Sequence, residues 1–145
     1  MATMIDMARR IVAGEHPQAP FPALVGMKLT AVEPGRARME MVADARHTNP
    51  MGTLHGGVPC TLADSAMGLA YASTLEEGES FTTLELKINF LRPMWTGLLV
   101  AEGSVVQRGK TIGLAECSVT DEKGRLIAKA SSTCMTLREP QKLRG

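Results

Sequence analysis

The chain has 145 residues, a formal net charge of +1 and 44% hydrophobic residues. This length predicts a single domain that is large enough to bury a hydrophobic core. The nearly balanced charge gives no electrostatic basis for binding nucleic acid or an anionic membrane surface. The apolar content also argues against an intrinsically disordered chain.

The N-terminal segment lacks the pattern of a secretion signal, because Asp6, Arg9 and Arg10 interrupt its apolar residues. No stretch approaches the ~20 apolar residues that a membrane-spanning helix needs. The three cysteines, at positions 60, 117 and 134, have no CxxC spacing and are typical of reduced, packed side chains. We therefore expect a cytoplasmic protein.

The N-terminal third is predicted to form a short helix, a loop and a pair of strands. Apolar residues with helical spacing predict a helix over residues 4–12. Residues 15–26 contain three prolines and are predicted to form a wrapping loop. Strands are predicted at 28–33 and 36–42, with Pro34-Gly35 as the turn pair between them.

Residues 47–71 are the stretch around which the chain is organised. The first half is rich in turn-forming pairs and glycine, whereas residues 58–73 have a helical pattern. Pro59 lies in the first turn, where its missing N–H costs no helical hydrogen bond. One face is predicted to carry Val58, Leu62, Ala66, Leu69 and Ser73. Most other positions are small, so this helix can lie close against a flat sheet.

Four extended runs follow the helix after a polar break at residues 76–79. The clearest is residues 83–90, where apolar and polar residues alternate strictly, with Leu84, Leu86, Ile88 and Phe90 on one face. The other three runs are residues 99–107, 111–121 and 126–137, separated by turns at 108–110 and 122–124.

This order of two strands, one long helix and four strands predicts an α+β fold. Short turns imply antiparallel neighbours, so the sheet is expected to curl around the helix. We assign residues 1–145 to one domain, with residues 1–23 as an N-terminal helix and loop and residues 138–145 as a polar, frayed tail. One face of such a sheet would be bare, which favours dimerisation.

The start of the long helix and Asp64 are the clearest functional candidates. Gly56 and Gly57 stand where the free N–H groups of a helix start could bind a carbonyl oxygen or an anion. Asp64 is the only charged residue in the helix, and aspartate is a poor interior helix residue. The alternative is that the glycines only form a turn and that Asp64 is solvated.

Other kinds of site fit the sequence less well. His47 and His55 lack HExxH or HxxxH spacing and have no cysteine pair nearby, so we expect no metal. Ser65 is not in a G-x-S-x-G motif, and nothing marks Cys60 as an activated nucleophile.

The central stretch resembles the hotdog-fold acyl-CoA thioesterases of the phenylacetic-acid-degradation (PaaI) type. Their pattern is close to H-x-N-x-x-G-x-x-H-G-G, and this chain has it from His47 to Gly57, followed by Leu62-Ala63-Asp64. Residues 106–111, 115–121 and 124–128 are similar to the family's last three strands. The likeness covers residues 24 to 137 and implies a hotdog fold, in which a curved antiparallel sheet wraps around one long helix.

The resemblance also implies hydrolysis of an acyl-CoA thioester, aryl or medium-chain, to a free acid and CoA. The backbone N–H of Gly56 would polarise the thioester carbonyl, and Asp64 would be the nucleophile or the general base. Asn49 would position the carbonyl or the water, with His55 just before the helix. Loss of one such oxyanion donor typically costs about 100- to 1,000-fold in rate.

Further residues are implied less specifically. Thr83 or Thr82 would assist early in the following strand. The turn of Arg108, Gly109 and Lys110 would lie near the CoA phosphates, although such a turn is also typical of a solvated hairpin. We expect no cofactor, because CoA is part of the substrate.

The family places the glycine and the aspartate on different subunits, which implies a homodimer or homotetramer with the site at the subunit interface. Two alternatives remain. A hotdog hydratase or dehydratase would be expected to carry an Asp and a His in the loop before the helix, and residues 49–55 contain no Asp. A non-catalytic acyl-CoA-binding protein would be expected to carry a basic DNA-binding segment, and would not need Asp64.

Overall fold

The computed structural model describes residues 2–138, which form one antiparallel sheet with a long helix lying across it. The helices are α1 (Met4–Val12), α2 (Pro20–Val25) and α3 (Gly57–Ala72). The strands are β1 (Met27–Glu33), β2 (Arg36–Ala43), β3 (Glu79–Phe90), β4 (Gly97–Arg108), β5 (Ile112–Asp121) and β6 (Leu126–Arg138). The predicted order of two strands, one long helix and four strands is confirmed. The predicted tail lies outside the described residues except for Arg138, which ends β6.

The sheet has the strand order β1-β2-β4-β5-β6-β3, and every neighbouring pair is antiparallel. The chain therefore leaves β2 through α3, enters the far edge of the sheet as β3, and returns through β4 beside β2. This path carries α3 across one face, so the curved sheet encloses the helix as predicted.

The long helix packs almost directly on the backbone of β4. A Cβ atom added to Gly103 would lie 2.5 Å from the carbonyl oxygen of Ala66. Leu62, Ala63, Ala66 and Ala70 are completely buried. The small residues thus permit the close helix–sheet contact that the sequence predicts. Met67 and Tyr71 are also completely buried, so the apolar surface of α3 extends further round the helix than the predicted stripe.

The predicted wrapping loop at residues 15–26 is wrong in one part, because Pro20–Val25 forms the short helix α2. Prolines at the first helical positions cost nothing, since those N–H groups have no intrahelical partner. Gly26 ends the helix in the left-handed conformation, with φ of 90°. The prolines therefore start a helix here instead of preventing one.

Strand β3 contains a β-bulge that changes which residues face the helix. Thr83 pairs with Cys134 of β6, but Glu85 pairs with Thr133, so Leu84 is an extra residue. Leu84 is 52% exposed, although strict alternation predicts it on the buried face. Thr83, predicted on the opposite face from Leu86, faces the helix as Leu86 does.

Strand β3 is also an edge of the sheet. Within residues 2–138 it pairs only with β6, so the N–H and C=O groups along its other side have no strand partner. No helix in this part of the chain is long and apolar enough to cross a membrane.

Candidate active site

Asp64 lies on the exposed side of α3, opposite the buried Leu62. It faces β3 and β6, where Thr83 and Cys134 form a cross-strand pair. Partial burial raises the pKa of the Asp64 carboxyl above its ordinary value, and a side-chain hydrogen bond from Thr83 acts in the opposite direction. The carboxylate thus lies beside Thr83 while it stays accessible to solvent.

Two thiols flank this carboxylate. Cys60 lies one helical turn before Asp64, and burial together with the charge of Asp64 raises the pKa of its thiol. Burial also raises the pKa of Cys134. Both side chains therefore stay protonated at neutral pH, which agrees with the prediction that Cys60 is not an activated nucleophile.

The first turn of α3 presents a free backbone N–H at Gly56. Gly57 donates its N–H to Nδ1 of His55 at 2.9 Å, and Val58 donates to the His55 carbonyl at 2.9 Å. The N–H of Gly56 donates to no acceptor among residues 2–138. His55 therefore stabilises the turn beside Gly56 through hydrogen bonds to its ring and its carbonyl. The Gly56 N–H stays available for a ligand.

Phe90 packs against Gly56. A Cβ atom on Gly56 would lie 3.1 Å from the tip of the Phe90 ring, so glycine permits the contact. Gly56 and Phe90 open onto a cavity of about 360 Å³ whose other walls include Pro59, Met94 and Ile127. A mostly apolar cavity beside a backbone donor is suited to a carbonyl group on an apolar chain.

Asn49 and His47 form hydrogen bonds that stabilise the loop before α3. The Asn49 amide donates to Oγ1 of Thr53 at 2.7 Å, and its Oδ1 accepts from the N–H groups of Met51 and Thr53. His47 accepts from the Asp44 N–H through Nδ1 at 3.0 Å, so its Nε2 donates to the Val25 carbonyl. Both side chains are engaged in holding the loop that carries His55 and Gly56.

Gly56 and Asp64 do not meet within one chain. Asp64 follows Gly56 by eight residues on the same helix, which places their backbones about 12 Å apart at a rise of about 1.5 Å per residue. Helical N–H groups also point towards the N-terminus, away from Asp64. A nucleophile and an oxyanion donor must both lie about 3 Å from one carbonyl group. Within one chain, Gly56 and Asp64 therefore cannot act on the same carbonyl group.

Arg108 makes contacts within the chain that the sequence does not predict for the turn at residues 108–110. The Arg108 guanidinium donates to Thr74 Oγ1 at 3.1 Å and to Glu79 Oε2 at 3.2 Å, and it lies 5.0 Å from the centre of the Tyr71 ring. Glu79, predicted as part of a polar break, is 8% exposed at its side chain and also pairs with Arg138 at 2.8 Å. Arg108 is thus engaged within the chain, while Lys110 is exposed.

The sequence predicts Thr83, with Thr82 as the alternative, and it does not identify Phe90 as a neighbour of Gly56. The bulge at Leu84 favours Thr83, since it places Thr83 on the face of β3 towards Asp64. Phe90 contacts Gly56 only because β3 runs back past the start of α3. No group of three or more potential metal-binding side chains occurs among the described residues.

The arrangement can therefore supply a carboxylate that accepts a proton or attacks a carbonyl carbon, and an N–H that stabilises the resulting oxyanion. Comparisons with known proteins agree with this chemistry. Residues 51–128 match the model of the thioesterase superfamily. This span covers both Gly56 and Asp64.

The chain is 30% identical to 1,4-dihydroxy-2-naphthoyl-CoA hydrolase of Listeria monocytogenes, over 75% of this chain and 89% of that protein. It is 29% identical to human acyl-coenzyme A thioesterase 13, over 92% of this chain and 96% of that protein. Among solved structures, a thioesterase family protein from Silicibacter pomeroyi matches with a TM-score of 0.81 and 31% identity, over 90% of this chain and 98% of that one.

Proposed function

Since the chain belongs to the thioesterase superfamily, we propose that it hydrolyses an acyl-CoA thioester to a free acid and CoA, and that Asp64 and Gly56 carry the reaction. One observation carries this proposal more than any other. A carboxylate beside Thr83, and a helix-start N–H with no acceptor among residues 2–138, lie on accessible parts of the same helix. Thioester hydrolysis needs both groups, and a folded domain has little reason to leave both without strong partners.

In the proposed reaction the thioester carbonyl oxygen accepts a hydrogen bond from the Gly56 N–H. Asp64 then removes a proton from water as the water oxygen attacks the carbonyl carbon, and the C–S bond breaks to release the CoA thiolate. The proton held by Asp64 passes to the departing sulfur. Direct attack by Asp64 would instead form a mixed anhydride, which water then hydrolyses. Both routes need the Asp64 carboxylate and the Gly56 N–H at one carbonyl group.

The active form is proposed to be a homodimer, because the two halves of the site are about 12 Å apart in one chain. Gly56 lies beside Phe90, and Asp64 lies beside Thr83. Antiparallel pairing of two β3 edges about a two-fold axis near the middle of the strand would bring Phe90 close to Thr83 of the partner subunit. Gly56 would then approach Asp64 of the partner subunit, and two equivalent sites would result. A tetramer made from two such dimers stays a prediction.

His55 and Asn49 are proposed to act mainly by fixing the Gly56 peptide. Their hydrogen bonds to Gly57, Met51 and Thr53 support this role. Nε2 of His55 points to no acceptor among the described residues, so it could also donate to the substrate. In the turn predicted to bind the CoA phosphates, Lys110 stays a candidate. Arg108 is disfavoured as a phosphate ligand because its guanidinium already contacts other residues of the chain.

The proposal is tested by thiol release from a panel of acyl-CoA thioesters with aryl, short, medium and long acyl groups. We expect release of free CoA from at least one aryl or medium-chain member, with the free acid as the other product. Hydration of an enoyl-CoA without thiol release would identify the hydratase alternative. Binding of acyl-CoA without turnover would identify the binding-protein alternative.

A further inference from the structure

Two cavities adjoin each other along the segment that links β3 to β4. The first, of about 360 Å³, includes Gly56 and Phe90. The second, of about 390 Å³, includes Trp95 and Arg125. Residues 92–94 line both cavities. We call the two cavities together the β3–β4 groove, with Gly56 at the first cavity and Trp95 at the second.

Trp95 is the only tryptophan in the chain, and it is 58% exposed. The segment that carries it is firmly held. The N–H groups of Leu91 and Arg92 both donate to the Ile127 carbonyl, at 2.8 and 3.2 Å, and the Met94 carbonyl accepts from Leu54 at 2.7 Å. An exposed indole on a fixed backbone segment offers an aromatic face for stacking.

Arg92 stands where the two cavities join and is exposed. It forms no ion pair within residues 2–138, unlike Arg125, which binds Asp121 at 2.7 Å. Asp121 and Glu122 also line the second cavity, so its charges balance and it does not attract anions by net charge. Arg92 is therefore the free guanidinium of the groove, with the planar donor geometry that suits a phosphate.

We propose that the β3–β4 groove holds the CoA portion of the substrate. The adenine stacks on Trp95, a phosphate binds Arg92, and the pantetheine arm follows the apolar wall past Met94 and Phe90 to place the thioester at Gly56. Every nucleobase has a face that stacks on an aromatic side chain. This inference rests on the proposed function and assigns the nucleotide to a different surface from the Arg108–Lys110 turn.

The single tryptophan allows a direct test that needs no turnover. Titration of the wild-type protein with CoA should quench the fluorescence of Trp95, whereas pantetheine, which lacks the nucleotide, should not. Arg92→Ala should weaken CoA binding by about tenfold, the effect of losing one charge-assisted contact. Arg10→Ala is the matched control, because it removes an exposed arginine from α1, and its CoA affinity should equal that of the wild type.

Kinetics with two substrates provide the second test. In Trp95→Ala the KM for acyl-CoA should rise about tenfold with kcat little changed, because stacking contributes to binding. The KM for the same acyl group on N-acetylcysteamine, which has no nucleotide, should not change. If Trp95→Ala and Arg92→Ala keep the wild-type KM for acyl-CoA, or if Lys110→Ala raises it in their place, the assignment is overturned.

The outcomes separate this inference from the proposed function. If the wild-type protein hydrolyses neither substrate but CoA quenches the fluorescence of Trp95, the nucleotide site is supported and the hydrolytic function is wrong. If the wild-type protein hydrolyses both substrates equally well and CoA does not quench its fluorescence, the hydrolytic function is supported and the nucleotide site is wrong.

Discussion

The hydroxyl of Thr83 on β3 lies beside the carboxylate of Asp64 on α3 and lowers its pKa, an arrangement that depends on a β-bulge at Leu84. Residues 81 and 83 face the helix before the bulge, and residues 86 and 88 face it afterwards. In an unbroken strand, residues 83 and 86 would project from opposite faces. The bulge thus lets one strand supply both a polar contact to Asp64 and apolar residues of the core.

Thr83→Ala should reduce hydrolysis by about tenfold or more, because it removes a hydrogen bond to a charged group. Since that bond lowers the pKa of Asp64, its loss should move the acidic limb of the pH–rate profile to higher pH. Thr83→Ser should restore both the rate and the profile. Thr82→Ala is the control, and its profile should match the wild type because Thr82 lies on the other face of the strand. Equal effects of Thr82→Ala and Thr83→Ala would contradict this role.

Asp64→Asn should lower thioester hydrolysis by at least about 100-fold, the lower range for a positioned acid–base group. Its melting temperature at pH 7 should be unchanged or higher. Burial raises the pKa of Asp64 in the folded state, so the folded chain holds the proton more tightly than the unfolded chain. Ionisation at neutral pH therefore costs stability, and asparagine removes that cost. Ser65→Ala is the control and should keep normal turnover. Near-normal hydrolysis by Asp64→Asn would remove Asp64 from the chemistry.

Much of the fold could be predicted from the sequence because its signals are local. The alternation of β2, the helical spacing and small residues of α3, and the Pro34-Gly35 turn each depend on near neighbours. The bulge at Leu84 could not be predicted in this way, since Thr83 and Leu84 continue an alternating pattern and only the pairing with β6 reveals the extra residue.

The site was predictable in part for the same reason. Gly56 and Asp64 stand in one contiguous motif, whereas the partners of Arg108 come from α3, β3 and the turn between them. Its contact with Glu79 spans 29 residues and has no signature in the local sequence. A charged turn that looked solvated therefore belongs to an internal ion pair.

Arg108→Ala should destabilise the protein, since Glu79 and Tyr71 would lose their contacts to the guanidinium. Loss of a hydrogen bond to a charged group costs about 1.5–3 kcal/mol, and each kcal/mol lowers the melting temperature by about 2–4 °C in a chain of this size. Thermal unfolding of Arg108→Ala and Lys110→Ala measures the difference, and only the first should melt early. Equal melting temperatures for both variants would contradict the structural role of Arg108.

Gly103→Ala should also destabilise the fold, because the new methyl group would lie 2.5 Å from the Ala66 carbonyl oxygen and 2.8 Å from the Met67 nitrogen. Overpacking of this kind typically costs about 1–3 kcal/mol. Gly68→Ala is the matched comparison, since its methyl group would lie 3.4 Å from Phe81 and alanine favours the helix. Denaturant unfolding should show a loss of stability only for Gly103→Ala. An unchanged midpoint for that variant would show that α3 can move away from β4.

The central claim is that each active site takes Gly56 from one subunit and Asp64 from its partner. Gly56→Pro removes the N–H at a position whose φ of −57° suits proline, although the new Cβ would lie 3.1 Å from the Phe90 ring and must displace it slightly. This variant and Asp64→Asn should each be nearly inactive alone. Unfolding and sedimentation of each variant check that it still folds and dimerises.

The decisive measurement is hydrolysis by an equimolar mixture of the two variants after their subunits have exchanged. In a mixed dimer one site combines both substitutions and the other has neither, so random pairing should restore about one quarter of the wild-type rate. A mixture that stays as inactive as the separate variants would contradict a site shared between subunits.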